Sequence, residues 1–208
     1  MPAVLDPQLV LSAYTRGAFP MTDPDGVTRW YTADPRGVIP LDGFKTPRSL
    51  RQTIRKGLFE VVVDRDFVGT MRDCMNVERE GVRGSWISDR LIDVYRRLHE
   101  AGYAHSVECW ATEDGHRLRV GGLYGVALGG AFFGESMFHS RTDASKVALA
   151  HLVERLRAGG FLLLDTQACT RHLARFGCHE IDADEYRRRL DEAMQVDADF
   201  HALDRHDG

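Results

Sequence analysis

Two carboxylates and one amide, each next to apolar residues, are the side chains of this sequence best suited to chemistry. The run Phe161-Leu162-Leu163-Leu164-Asp165-Thr166-Gln167 delivers an acid and an amide at the C-terminal end of an apolar strand. Residues two apart on an extended chain share a face, so Asp165 and Gln167 are expected to project to one side and meet a single substrate atom. Asp165 has a second reading, as the cap of the helix that follows. Gly134-Glu135-Ser136-Met137-Phe138 places Glu135 among apolar side chains. A carboxylate buried there needs a positive partner, either an internal arginine or a bound ligand.

Other segments offer less. Gly121-Gly122-Leu123-Tyr124-Gly125 has neither the spacing of a dinucleotide fingerprint nor the lysine of a P-loop, and close strand packing is its expected role. Cys169, His172, Cys178 and His179 match no common zinc spacing, so no metal and no cofactor is expected. Ser145 and His151 lack a third partner that would make a nucleophile system. Trp30, Tyr31 and Trp86 offer flat rings on which a nucleobase can stack, or they belong to the core.

The elements that position these groups are legible from caps and periodicity. A helix opens the chain from Asp6-Pro7 to Gly17, and residues 19–37 read as irregular chain before an edge strand over 38–41. Thr46-Pro47 opens a second helix that Gly57 closes, residues 59–63 form a strand, and Asp64 or Asp66 caps a helix ending near Met75. Residues 76–84 are expected to form a mobile loop leading to Trp86, after which Ser88 caps an amphipathic helix that stops at Gly102. Runs over 104–110, 117–122, 123–127 and 131–133 then suggest an antiparallel meander. A helix over 143–158, a buried strand over 161–164, a short helix to Phe176, a strand around Ile181 and a last helix follow, with a frayed tail after Val196.

This order implies an α+β fold with an acyl-CoA N-acyltransferase-like (GNAT) domain over residues 66–208, preceded by a small N-terminal domain over residues 1–65. With 208 residues and 43% apolar content the chain can bury a substantial core. No apolar run reaches the roughly 20 residues of a membrane helix and no secretory signal opens the chain, so a cytoplasmic location is expected. The four cysteines form no Cys-x-x-Cys pair and are read as reduced thiols. A net charge of -4 gives no general basic footprint, so any nucleic-acid contact must be local. Arg48, Arg51, Arg55 and Lys56 follow helical spacing, as such a contact or as a solvated helix face.

Read together, the segments closely resemble the leucyl/phenylalanyl-tRNA protein transferase family over nearly the whole chain. The resemblance rests on Ala13-Tyr14 through Gly17, Phe19-Pro20, Trp30-Tyr31, Asp34-Pro35-Arg36, Trp86-Ile87, Ala104-His105-Ser106-Val107-Glu108, the Gly121 to Val126 run, Gly134-Glu135-Ser136-Met137-Phe138, Ala144-Ser145-Lys146 and Asp165-Thr166-Gln167. It implies an aminoacyltransferase that moves Leu, Phe or Met from aminoacyl-tRNA to proteins beginning with Arg or Lys, marking them for N-end-rule degradation. By the same resemblance Asp165 and Gln167 are the catalytic pair and Glu135 binds the basic acceptor residue. Leu123, Phe132, Met137, Leu149, Leu156 and Leu164 wall the aminoacyl pocket, and Trp86 and Tyr31 hold the terminal adenosine. The sequence departs from the family at His139, where a serine is usual, and at Tyr31, which replaces a tryptophan. It also starts late relative to longer members, with part of the small domain expected to be missing. Two rivals predict different features. A coenzyme A-dependent acetyltransferase needs a Gln/Arg-x-x-Gly-x-Gly/Ala loop that residues 134–146 lack, and a non-catalytic adaptor for basic N-termini has no use for an Asp-x-Gln pair.

Overall fold

The computed structural model describes residues 5–77 and 84–205. The expected loop over residues 76–84 lies largely outside them. Helix α1 (Pro7–Tyr14) starts where Asp6 accepts from the Gln8 N–H, and Gly17 follows it at φ +77°. Strands β1 (Phe19–Thr22) and β2 (Thr28–Tyr31) then pair as an antiparallel hairpin, where the sequence reading placed irregular chain. The strands have four residues each, and the Asp23-Pro24-Asp25-Gly26 link closes through the Gly26 N–H on the Asp23 carbonyl. So short a ladder leaves little hydrophobic alternation to detect.

The main sheet has seven strands in the order β4-β5-β6-β7-β8-β3-β9. They are β3 (Arg36–Ile39), β4 (Glu60–Val63), β5 (Ala104–Glu113), β6 (His116–Leu128), β7 (Ala131–His139), β8 (Leu163–Gln167) and β9 (His179–Ile181). Only β7 and β8 pair in parallel, joined by the crossover helix α5 (Ala144–Ala158). Strand β3 is internal, between β8 and β9, and not an edge strand. A division at residue 65 would therefore separate β3 and β4 from the sheet whose hydrogen bonds they share.

Neighbouring residues on the strands serve opposite faces. Leu123, Phe132 and Leu164 join the core beneath α5, whereas Tyr124, Phe133 and Leu163 join the core shared with α1, α3 (Phe67–Met75) and α4 (Asp89–Glu100). Asp66 and Ser88 cap α3 and α4 as their positions suggested. Helix α2 (Arg48–Arg55) begins after Pro47 without a side-chain cap and packs on α5. Strand β6 runs unbroken where two strands were expected. A Cβ at Gly121 would sit 2.5 Å from the Ala144 side chain, so this glycine admits α5 and makes no turn. Helices α6 (Arg171–Ala174) and α7 (Ala183–Ala193) flank β9.

The segment after Val196 is not frayed as far as residue 205. Phe200 is 4% exposed and lies against Phe161, and Arg155 holds Asp204 within a 3-10 turn, Ala202–Arg205. No helix among the described residues is long and apolar enough to cross a membrane.

Candidate active site

Strands β7 and β8 pair only as far as Phe133 and Asp165, although β7 continues to His139 and β8 to Gln167. Beyond that point the parallel strands part. Gly134, Glu135, Ser136 and Met137 on one side, and Thr166, Gln167 and Ala168 on the other, line a cavity of about 510 Å³. A gap at the C-terminal ends of parallel strands is where open sheets commonly bind ligands. Irregularities frame it: β6 and β7 shift register at Tyr124/Gly125, and Thr166 bulges from β8 opposite the Gly37/Val38 step. Gln167 sits at φ +56°, a left-handed conformation uncommon for a residue with a side chain. Gly37 makes that geometry possible, since a Cβ there would lie 2.4 Å from the Ala168 carbonyl carbon.

The structure separates the two residues expected to act side by side. Gln167 lines the cavity, whereas Asp165 is 0% exposed, lies behind it and does not reach the lining. The bulge is the physical reason, because an extra residue in one strand breaks the parity that would put positions 165 and 167 on one face. Asp165 does not cap the following helix either, for Thr170 does so. Its Oδ1 accepts from Arg36 Nε at 2.9 Å and from the Gln167 N–H at 2.8 Å, and its Oδ2 accepts from Arg36 Nη2 and Tyr186 OH, both at 2.7 Å. Arg36 is 1% exposed. Burial works against its charge, but Asp165 outweighs burial and holds the guanidinium above its ordinary pKa. Its Nη1 donates to the Gly17 carbonyl, and its plane lies 4.4 Å from the Tyr186 ring centre. With its amide set to satisfy its neighbours, Gln167 Nε2 donates to the Gly134 carbonyl at 3.0 Å, across the gap to β7.

Glu135 occupies the cavity wall. Tyr14 OH from α1 donates to Oε1 at 2.6 Å and Tyr95 OH from α4 to Oε2 at 3.3 Å, and the two hydroxyls also touch each other. Burial pushes the Glu135 carboxyl up to about 7, with Asp165 adding repulsion, against the lowering effect of the tyrosine hydrogen bonds and of Arg36. Burial likewise holds the Tyr14 and Tyr95 hydroxyls well above their ordinary range, so both stay donors. Of the two readings of Glu135, the internal arginine pair is not formed among the described residues, where the guanidinium in reach is committed to Asp165.

The expected aminoacyl wall divides. Leu123, Met137, Leu149 and Leu164 line the cavity, joined by Leu152 and Leu173. Phe132 and Leu156 do not: Phe132 is fully buried beneath α5, where it stacks on Phe200 at 5.6 Å, and Leu156 is fully buried on α5 itself. Trp86 lines the mouth with Phe19 and Met21. Tyr31 stands outside the lining, with its ring 6.5 Å from Phe19 and its hydroxyl donating to Asp23 at 2.6 Å. His172 lines the cavity, and burial lowers its pKa. Ser145 meets His139 at 3.4 Å and not His151. Sequence reasoning missed Arg36, Tyr186, Tyr14 and Tyr95 as site partners. The available signal was the need of a buried carboxylate for donors, which does not say where along the chain they lie.

Comparison with known proteins places the chain in a family. The profile described as "Leucyl/phenylalanyl-tRNA protein transferase" matches residues 38–191, and that of the "Leucyl/phenylalanyl-tRNA protein transferase N-terminal domain" matches residues 3–34. Proteins named leucyl/phenylalanyl-tRNA--protein transferase are similar over most of their length. That of Maricaulis maris is 52% identical, covering 93% of this chain and 88% of its own. That of Salinibacter ruber is 49% identical over 98% and 86%, and that of Herpetosiphon aurantiacus 52% identical over 94% and 98%. Among solved structures, L-PGS from Bacillus licheniformis aligns at 12% identity over 78% of this chain and 58% of its own, with a TM-score of 0.45. From the family match across both segments, this chain belongs to the leucyl/phenylalanyl-tRNA protein transferase family.

Proposed function

We propose that this protein transfers leucine or phenylalanine, and also methionine, from the 3′ end of aminoacyl-tRNA to the α-amine of proteins that begin with Arg or Lys. The observation that carries the acceptor assignment is Glu135, a carboxylate in an apolar cavity whose hydrogen-bond partners are tyrosine hydroxyls and whose charge meets no paired cation among the described residues. A guanidinium or ammonium entering the cavity supplies that cation through a charge-assisted hydrogen bond. The donor side chain enters the wall of Leu123, Met137, Leu149, Leu152 and Leu164, which buries an apolar group and leaves a polar one unsatisfied. Trp86 takes the terminal adenine, with Tyr31 beside it across Phe19.

The chemistry asks little beyond positioning. The donor is an activated ester, and an α-amine of pKa about 8 is partly neutral at physiological pH. The amine nitrogen bonds to the ester carbonyl carbon, the bond from that carbon to the ribose oxygen breaks, and the amine proton leaves to restore the ribose hydroxyl. In this reading Gln167 orients the amine in the gap. Asp165, saturated by four donor groups, acts as an organiser of Gln167 and not as the proton acceptor. The exposed row Arg48, Arg51, Arg55 and Lys56 on α2 and just after it contacts the tRNA phosphates. The larger unit has the GNAT arrangement, supported by the antiparallel strands leading to a splayed parallel pair. Helix α1 and the β1–β2 hairpin form the small N-terminal unit, ending near residue 35.

The test is transfer of labelled leucine from Leu-tRNA to two peptides that differ only at the first residue, Arg or Ala. Label on the Arg peptide alone is expected. No transfer, or equal transfer to both, would overturn the reading.

A further inference from the structure

Away from the cavity, three metal-capable side chains converge from distant parts of the chain. Asp64 follows the edge strand β4, His105 lies near the start of β5 and His201 belongs to the C-terminal segment. One donor atom from each lies within 4.8 Å of the other two, and no other such group occurs among the described residues. Asp64 Oδ2 is 2.7 Å from His105 Nδ1 and 4.0 Å from His201 Nε2. None of the three lines the transfer cavity.

Their surroundings aim the donor atoms. The Ser106 N–H holds Asp64 Oδ1 at 2.7 Å, which leaves Oδ2 to face the imidazoles. Asp204 Oδ2 lies 3.0 Å from His201 Nδ1, and Arg155 holds Asp204 in turn. A carboxylate on Nδ1 fixes the proton there and leaves the Nε2 lone pair, the one turned toward Asp64, free to bind a metal. Phe200 stacks on the His105 ring at 4.0 Å and fixes its plane.

We propose that Asp64, His105 and His201 bind a divalent transition-metal cation of the zinc class and thereby clamp the C-terminal segment to the edge of the sheet. Two imidazoles and one carboxylate favour zinc-class ions over magnesium or calcium, which take oxygen donors. In a tetrahedral site with bonds of roughly 2.0–2.2 Å the donor atoms lie about 3.4 Å apart, so His105 Nδ1 and Asp64 Oδ2, now at 2.7 Å, must part by about 0.7 Å and His201 Nε2 and Asp64 Oδ2, now at 4.0 Å, must close by about 0.6 Å. The widest separation in the trio, within 4.8 Å, needs the donors to close by up to about 1.4 Å. The His201 side chain, 51% exposed, can turn that far, and its open side leaves a fourth position for water. On binding, His105 takes the tautomer with its proton on Nε2, so that the neutral imidazole offers the Nδ1 lone pair to the cation in place of its contact with Asp64 Oδ2.

The test uses the full chain without a histidine tag, stripped with a chelator and titrated with Zn²⁺ and, separately, with Mg²⁺, by calorimetry and by thermal melting. One bound Zn²⁺ per chain is expected, with a rise in Tm, and no response to Mg²⁺. His201→Ala removes an exposed ligand and should weaken Zn²⁺ binding at least about tenfold and abolish the Tm rise, with the metal-free melt unchanged. Asp204→Asn, which replaces a group outside the ligand set, should weaken it about 10–100-fold. No zinc binding by the wild-type chain, or equal binding by His201→Ala, would overturn the proposal.

Discussion

Replacing Arg36 by methionine separates two roles for Asp165 that the sequence leaves together. The substitution keeps most of the volume and removes two of the donors on a fully buried carboxylate, the Nε at 2.9 Å and the Nη2 at 2.7 Å. Stranding one member of a buried ion pair costs about 3–5 kcal/mol. For a chain of this size each kcal/mol lowers Tm by roughly 2–4 °C, so a fall of roughly 6–20 °C is expected. If Asp165 organises Gln167, loosening its oxygens shifts the amide, and a misplacement on the order of 1 Å lowers kcat about a hundredfold. KM for an Arg peptide should rise only modestly, because the tyrosines on Glu135 stay in place and only the lowering effect of Arg36 on its carboxyl is lost. Were Asp165 the proton acceptor, loss of the guanidinium would leave a carboxylate still able to take the proton. Single-turnover leucine transfer below the melting temperature decides between them. A folded Arg36→Met protein with kcat within about threefold of wild type would refute the organiser role. The double variant Arg36→Met/Asp165→Asn, with both charges gone, should recover much of the lost Tm but none of the activity.

Glu135→Gln should raise KM for an Arg peptide about 10–100-fold in a steady-state comparison, the worth of a charge-assisted hydrogen bond, with an Ala peptide still unlabelled. With its carboxyl at about 7 in the fold against 4.5 ordinarily, Glu135 holds its proton more tightly in the native state than in the unfolded chain. Its contribution to stability is therefore full below about 4.5 and is lost as pH rises through about 7, a change of about 3 kcal/mol that denaturant melts should show in wild type and not in Glu135→Gln. Two leucines that look equivalent in the sequence should part company. Leu149→Phe narrows the cavity and should shift donor preference away from Phe by about 1–3 kcal/mol in kcat/KM, whereas Leu156→Ala should cost about 2–5 kcal/mol of stability with donor preference intact. Replacing Arg51 and Arg55 by Ala should weaken aminoacyl-tRNA binding and reduce its salt dependence by about one unit of slope per lost phosphate contact, while a short aminoacyl-adenosine donor is used as before.

Elements bounded by their own chemistry were legible in the sequence. The caps Asp6, Asp66 and Ser88 mark α1, α3 and α4 where the structure has them. Misreadings arose where a residue serves a distant neighbour. The close packing expected of the glycine run is met where α5 crosses Gly121, but the tail looks frayed until Phe200 and Asp204 find Phe161 and Arg155. The hairpin of β1 and β2 was hidden by strands too short for alternation to register.

The site follows the same division. Leu164 and Leu123 reach the cavity and Phe132 does not, although all three lie on the α5 face of the sheet, because exposure to the gap depends on where β7 and β8 part. Spacing predicts parity, and parity fails at a bulge: Thr166 is the extra residue, so Asp165 turns inward to an arginine 129 positions away while Gln167 turns out at φ +56°. A motif of alternating acid and amide thus marks two neighbouring positions without showing that one faces the cavity and the other lies behind it. That division depends on Gly37, whose missing side chain lets the Gln167 turn rest on β3 and puts the amide in the gap with the carboxylate behind it.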